Sequence, residues 1–186
     1  MSRIIVDSIR NSSASSDALT LSSDGKVVFP NNTGNILQVK QTLKQDTFSL
    51  NSSSTYTAIT GLSVSITPSS ASNKILILGT IYTSAAIDDY ANVFALYKNG
   101  SAVAAAHGTG AGNRYGAAMK LRQDGAGNAK HLHHEFLDVA GGTSAITYQY
   151  YMASETWGYV GSTGNDGNSW YQARCPSIIT VMEVAA

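Results

Sequence analysis

From Ile36 to the C-terminus the chain is written in short apolar–polar alternations, and no stretch of ten residues settles into a helical period. Val64 and Ile66 alternate with Ser63 and Ser65; Ile146, Tyr148 and Tyr150 alternate with Thr147 and Gln149. A period of two sends successive side chains to opposite faces of an extended chain. Between the runs stand "KNG", "QDGAGN", "AGGTS" and "STGNDGN", clusters of the residues that turn a chain. The strand-like segments are "ILQVKQTLKQDTFSL", "TYTAIT", "LSVSITP", "NKILILGTIYTSA", "ANVFALYKNG", "SAVAAAH", "YGAAMKLRQ", "AKHLHHEFLDV", "SAITYQYYMAS", "WYQAR" and "SIITVMEVA". Such spacing predicts an all-β protein, an antiparallel sandwich of the jelly-roll kind. "SAVAAAH" has the best helix propensity, but its place directly after "KNG" predicts a hairpin return strand.

Residues 1–35 differ. Two short alternating runs, "RIIVDSI" and "ALTLSSDGKVVF", are separated by a Ser/Asn stretch, and Asp24-Gly25 marks a hairpin turn. Large apolar residues are too few here to build a core, and Ile4, Ile5, Val6, Ile9, Val27, Val28 and Phe29 are the expected attachment residues. A polar terminus stays loose unless something ties it down. The segment therefore reads as an extended attachment arm, 1–35, on a head domain, 36–186.

Charge excludes some partners. The formal net charge is zero and 13% of residues are charged, so no basic footprint for nucleic acid or an anionic membrane is visible. A surface this poor in charge and rich in hydroxyls suits subunit contacts better than life as a free monomer. Cys175 is the only cysteine, which excludes an intrachain disulfide or a cysteine cluster. The N-terminus has three consecutive apolar residues before Asp7, too few for a signal peptide, and "ILILG" is far too short to span a membrane. Synthesis in a reducing cytoplasm is expected.

Four landmarks in order, "YTAITGLSVSITPSSASNKILILG" (56–79), "FALYKNGSAV" (94–103), "FLDVAGGTSAITYQYYM" (136–152) and "SIITVMEVA" (177–185), resemble the globular domain of structural proteins of tailed bacteriophages, especially marine and cyanobacterial ones. That domain is similar to the jelly roll of tumour necrosis factor and the complement head, and the resemblance implies a homotrimer. The front end, "IIVDSI…ALTLSSDGKVVFP", is similar to the segment preceding this domain in fibre-like proteins. Residues 104–130 depart from the pattern, in a region that varies with the partner.

Motifs that could carry chemistry are few. "HGTGAG" (107–112) places Gly108 and Gly110 as a dinucleotide loop would, but Asn113 stands at the third glycine position and no helix follows. "GSTG" (161–164) lacks the spacing of a nucleophile elbow. "HLHHEF" (131–136) is the richest cluster. On a strand, His131, His133 and Glu135 share one face, while Leu132, His134 and Phe136 share the other, His134 as a hydrogen-bonded, half-buried group. One strand spaces such ligands roughly 6.5–7 Å apart, too far for all three to converge on one ion. The ordinary reading is a solvated or interface strand; alternatives are an ion ringed by His131 or His133 around a three-fold axis, or receptor contact. Aromatic residues gather in the last third, where "ETWGYVGSTGNDGNSWY" offers Trp157, Tyr159, Asn165 and Asp166 as candidate receptor contacts; the tyrosines along strands read as core or interface.

The expectation is a non-enzymatic virion protein of a bacteriophage, made in the host cytoplasm and needing no cofactor. It would be a homotrimeric tail-fibre-like or capsid-decorating appendage, joined to other virion proteins through residues 1–35 and touching a host surface glycan. A polysaccharide-degrading tailspike would need a longer solenoid and paired carboxylates. A carbohydrate-binding module of cellular origin is the alternative, and would lack an arm requiring a partner.

Overall fold

The computed structural model describes residues 6–10, 12–21, 23, 25, 27–28, 34–86, 89–123 and 128–186. In the arm run β1 (Ser8–Ile9), β2 (Leu19–Leu21) and β3 (Val27–Val28). The head follows with β4 (Ile36–Lys44), β5 (Phe48–Leu50), β6 (Ser53–Ile66), β7 (Lys74–Ala85), β8 (Ala91–Lys98) and β9 (Ser101–Ala102). It continues with β10 (Met119–Arg122), β11 (Lys130–Val139), β12 (Ile146–Ser154), β13 (Gly158–Val160) and β14 (Ser177–Val184).

The eight principal strands of the head pair first with last, all antiparallel: β4 with β14, β6 with β12, β7 with β11, β8 with β10. A long hairpin rolled up in this way is a jelly roll. One sheet runs β10-β8-β12-β6, with β9 on β8; the other places β7 between β11 on one edge and β14 and β13 on the other, followed by β4 and β5.

Between the sheets lie the alternate residues of each strand: Ile75, Ile77 and Ile81 of β7, Ile179 and Val181 of β14, Phe94 and Leu96 of β8, Tyr148, Tyr150 and Met152 of β12. Burial of aliphatic and aromatic area at roughly 25 cal/mol per Å² is the main stabilising term here. The sandwich closes at one place through a missing side chain. A Cβ on Gly79 would lie 2.1 Å from the Tyr150 hydroxyl, so glycine lets the tyrosine cross from the opposite sheet.

Three local expectations are corrected. "TYTAIT" and "LSVSITP" form the single strand β6, bulged where Gly61 sits at φ +80°, and the pairing with β12 shifts register there. "SAVAAAH" gives only the two-residue β9, then a 3-10 turn at Ala104–Ala106. "WYQAR" is no strand: Trp170 to Arg174 belong to the loop before β14, whereas the "GYV" of β13 pairs on both sides, with β5 and β7.

Candidate functional site

Register gives the head two distinct ends. At the first, Ile36, Val184, Lys74 and Val139 lie side by side, and the chain arriving from the arm is held by Gly34 N–H on Ala185 O (2.8 Å) and Ala185 N–H on Asn35 O (2.9 Å). Glu183 fastens this end. Its buried carboxylate accepts from Ser69 N–H (2.7 Å), Ser69 Oγ (2.8 Å), Asn73 Nδ2 (2.6 Å) and Gln38 Nε2 (2.6 Å). Burial alone would raise its pKa, but these donors win and hold it at about 2. At the opposite end lie Lys44, Ser177, Tyr82 and His131, together with the loop leading from β12 through β13 to β14.

The arm strands pair only with one another among the described residues, in the order β1-β2-β3. Val6, Ile9, Leu21 and Val27 are exposed. Ile4, Ile5 and Phe29, and the side chain of Val28, lie outside the described residues. Gly25, in the expected hairpin, has φ +81°.

On β11 the parity is the expected one. Leu132 and Phe136 pack on the core, and His134 turns inward with Nδ1 at 3.0 Å from Tyr150 Oη and Nε2 at 3.2 Å from Ala106 O. Burial pushes the His134 pKa below the ordinary histidine value. His131, His133 and Glu135 are exposed on the other face. There the His131 ring meets Tyr82 edge-on at 4.9 Å, His133 Nδ1 lies 3.1 Å from Thr80 Oγ1, and the two imidazole centroids are 6.5 Å apart. Among the described residues, no three of His, Cys, Asp and Glu within one chain are grouped to hold a metal ion.

That outer face carries a feature the sequence did not announce. Cross-strand partners assemble the row Leu137–Leu76–Met182–Val39 across β11, β7, β14 and β4, with Val139, Val184 and Ile36 beside it. Leu137 is 54% and Val39 52% exposed. Glu135 and Lys74 are the charged residues in these two rows and the next. The row is contiguous and apolar on one sheet face.

The candidate receptor residues fall at the end away from the arm. Trp157 (43% exposed) stacks on Tyr159 with centroids 6.4 Å apart, and Asn165 is exposed. Asp166 is engaged within its own loop, accepting from Arg174 Nε (3.0 Å) and Nη2 (2.6 Å), which lowers its pKa. Trp170 and Tyr171, which are not among the expected receptor contacts, are 91% and 67% exposed. Their position inside a Gly/Asn/Ser loop was the available signal. Among the described residues no helix is long and apolar enough to cross a membrane.

No family model matches the chain, and no curated protein does. The fold itself defines the class: a two-sheet antiparallel jelly roll. Among solved structures the chain is similar to the VP2 protein of infectious bursal disease virus. The VP2 subviral particle is 15% identical over 87% of this chain and 40% of that one, at a TM-score of 0.41. The virus of the Gx strain gives 15% over 89% and 40%, at 0.42, and that of the Gt strain 14% over 89% and 42%, at 0.41. The chain thus spans about 40% of the length of these proteins. A superposition this loose carries no functional conclusion.

Proposed function

We propose that this protein is a non-enzymatic structural component of a bacteriophage virion, a homotrimeric tail-fibre-like or capsid-decorating appendage. The arm, residues 1–35, joins other virion proteins, and the far end of the head meets the host surface. The observation that carries this reading is the axial polarity of the head: the arm joins at one end, and the exposed aromatic loops sit at the other. It is supported by the order of the four sequence landmarks and by the Leu137–Leu76–Met182–Val39 row, a surface suited to two further copies of the same chain. A free carbohydrate-binding module would also use exposed Trp170, but it has no need of an arm whose apolar side chains face outward.

The test is to delete residues 1–33 and compare with the full chain. The head should stay folded and trimeric yet fail to join particles, and antibody labelling of intact virions should mark an external appendage. A full chain that never associates with particles would overturn the reading.

A further inference from the structure

On the other side of the sandwich, an open groove of about 640 Å³ is sunk into the outer face of the β10-β8-β12-β6 sheet near the end away from the arm. That size falls within the range of small-molecule sites, about 300–1,000 Å³. Its floor is the cross-strand row Lys120–Val93–Ala153, with Ala91 and Ala117 beside it. One wall is the 107–118 loop, which lies in the segment expected to vary with the partner and matches a dinucleotide loop only at Gly108 and Gly110.

The structure gives that loop another purpose. It is a tight hairpin: Gly108 N–H bonds Ala117 O (3.0 Å), and Ala111 and Arg114 exchange bonds at 3.2 and 3.1 Å. A Cβ on Gly116 would lie 2.5 Å from Gly108 O, so the two limbs touch backbone to backbone. The hairpin is pinned to the sheet by Tyr115 Oη on Ser54 O and Tyr56 Oη on Gly116 O (2.9 Å). Arg114 and Tyr115 are thereby held over the groove on a braced element, as a binding residue requires.

The polar groups lining the groove are unevenly engaged. Glu155 Oε2 already accepts Ala91 N–H (3.1 Å). Arg114 and Lys120 form no ion pair among the described residues, although the neighbouring Arg122 pairs with Asp89 at 3.4 Å. Two cations that form no ion pair among the described residues thus line the groove against the one carboxylate of Glu155, with the phenol ring of Tyr115 alongside. A pyranose presents an apolar C–H face edged by hydroxyls, and a carboxylate on its ring supplies what a guanidinium and an ammonium bind.

We infer that this groove, with Arg114 and Lys120 on the charge and Tyr115 and Val93 on the ring face, binds a carboxylated sugar of an acidic polysaccharide. The inference rests on the receptor-facing reading above and names its ligand class and site.

Titration calorimetry of the full chain with tetragalacturonate tests it, with maltotetraose as the neutral probe. Saturable binding of the acidic sugar is expected, with little for the neutral one. Arg114→Ala and Lys120→Ala should each weaken binding by at least about tenfold, the loss of one charge-assisted contact. Arg122→Ala should change it by less than about twofold, since Arg122 is paired outside the groove. Absence of saturable binding, equal binding of both sugars, or indifference to Arg114 and Lys120 overturns the inference. Failure here is separable from failure of the proposed function. The groove and the apolar row occupy different sheets, so a monomeric protein that binds uronate refutes assembly alone, and a particle-bound trimer that ignores uronate refutes the groove alone.

Discussion

At the scale of single residues, the sandwich depends on a few polar side chains placed where apolar ones would be expected. His107 is the clearest. Its Nε2 accepts Leu96 N–H at 2.8 Å, a bond open only to the unprotonated nitrogen, and burial pushes its pKa below the ordinary value of 6.5. His134, also lowered chiefly by burial, faces the same region through Ala106. A folded state that resists protonation binds fewer protons than the unfolded chain. This stability is therefore complete above pH 6.5 and lost as pH falls through the lowered folded values. The melting temperature should drop between pH 7.5 and 5, before the Glu183 carboxylate, held at about 2, begins to titrate. His107→Gln keeps an acceptor for Leu96 without a titrating ring, and should flatten that drop; an unchanged profile would count against the assignment. Gly79→Ala should destabilise by about 2–3 kcal/mol, because its methyl would enter the space of the Tyr150 hydroxyl. Chemical denaturation measures it, and a neutral result would mean that Tyr150 has room to move.

At the scale of elements, β11 shows what alternation can and cannot reveal. Parity alone separates His134 from His131 and His133 and puts Leu132 and Phe136 on the core. It does not reveal that His134 stands opposite Gly79, or that Tyr150 reaches it from the other sheet, since both follow from pairing distant in sequence. The same limit hid β13, three residues long and lacking a repeat to count, and made "WYQAR" look like a strand when its two aromatics decorate a loop. The groove was illegible for a related reason: Arg114 and Lys120 line one groove only because a glycine hairpin stands beside β8 and β10. The parity has a measurable consequence. His134→Ala should cost about 2–3 kcal/mol, leaving the Tyr150 hydroxyl and Ala106 carbonyl without their partner. His131→Ala and His133→Ala, on the exposed face, should stay within about 0.5 kcal/mol. Elemental analysis should find no stoichiometric metal; one ion per three chains, lost in the His131 and His133 variants, would reverse that expectation.

At the scale of the whole molecule, the two sheets divide the work. The β10-β8-β12-β6 sheet lays tyrosines over part of its outer face, Tyr97 stacked on Tyr151 at 3.7 Å and Tyr56 beside Tyr97 and Tyr115, and keeps the groove open beside them. The β4-β14-β7-β11 sheet leaves its Leu137–Leu76–Met182–Val39 row uncovered. In water such a row gains by meeting another apolar surface, at roughly 25 cal/mol for each Å² removed. The opposite arrangement, a sheet face open to solvent in a monomer, would alternate these positions with charge. For the proposed trimer, light scattering of the full chain should give about 58 kDa, three times the 19.5 kDa of one chain. Leu137→Asp sets a carboxylate in the row at a position already 54% exposed in the single chain, so the fold itself loses little. Burying that unpaired charge at an interface would cost several kcal/mol. The variant should run as a folded 19.5 kDa monomer with an unchanged circular dichroism spectrum, while Arg122→Ala on the other sheet stays trimeric. A Leu137→Asp protein that remains at the trimer mass would show that the chains meet elsewhere.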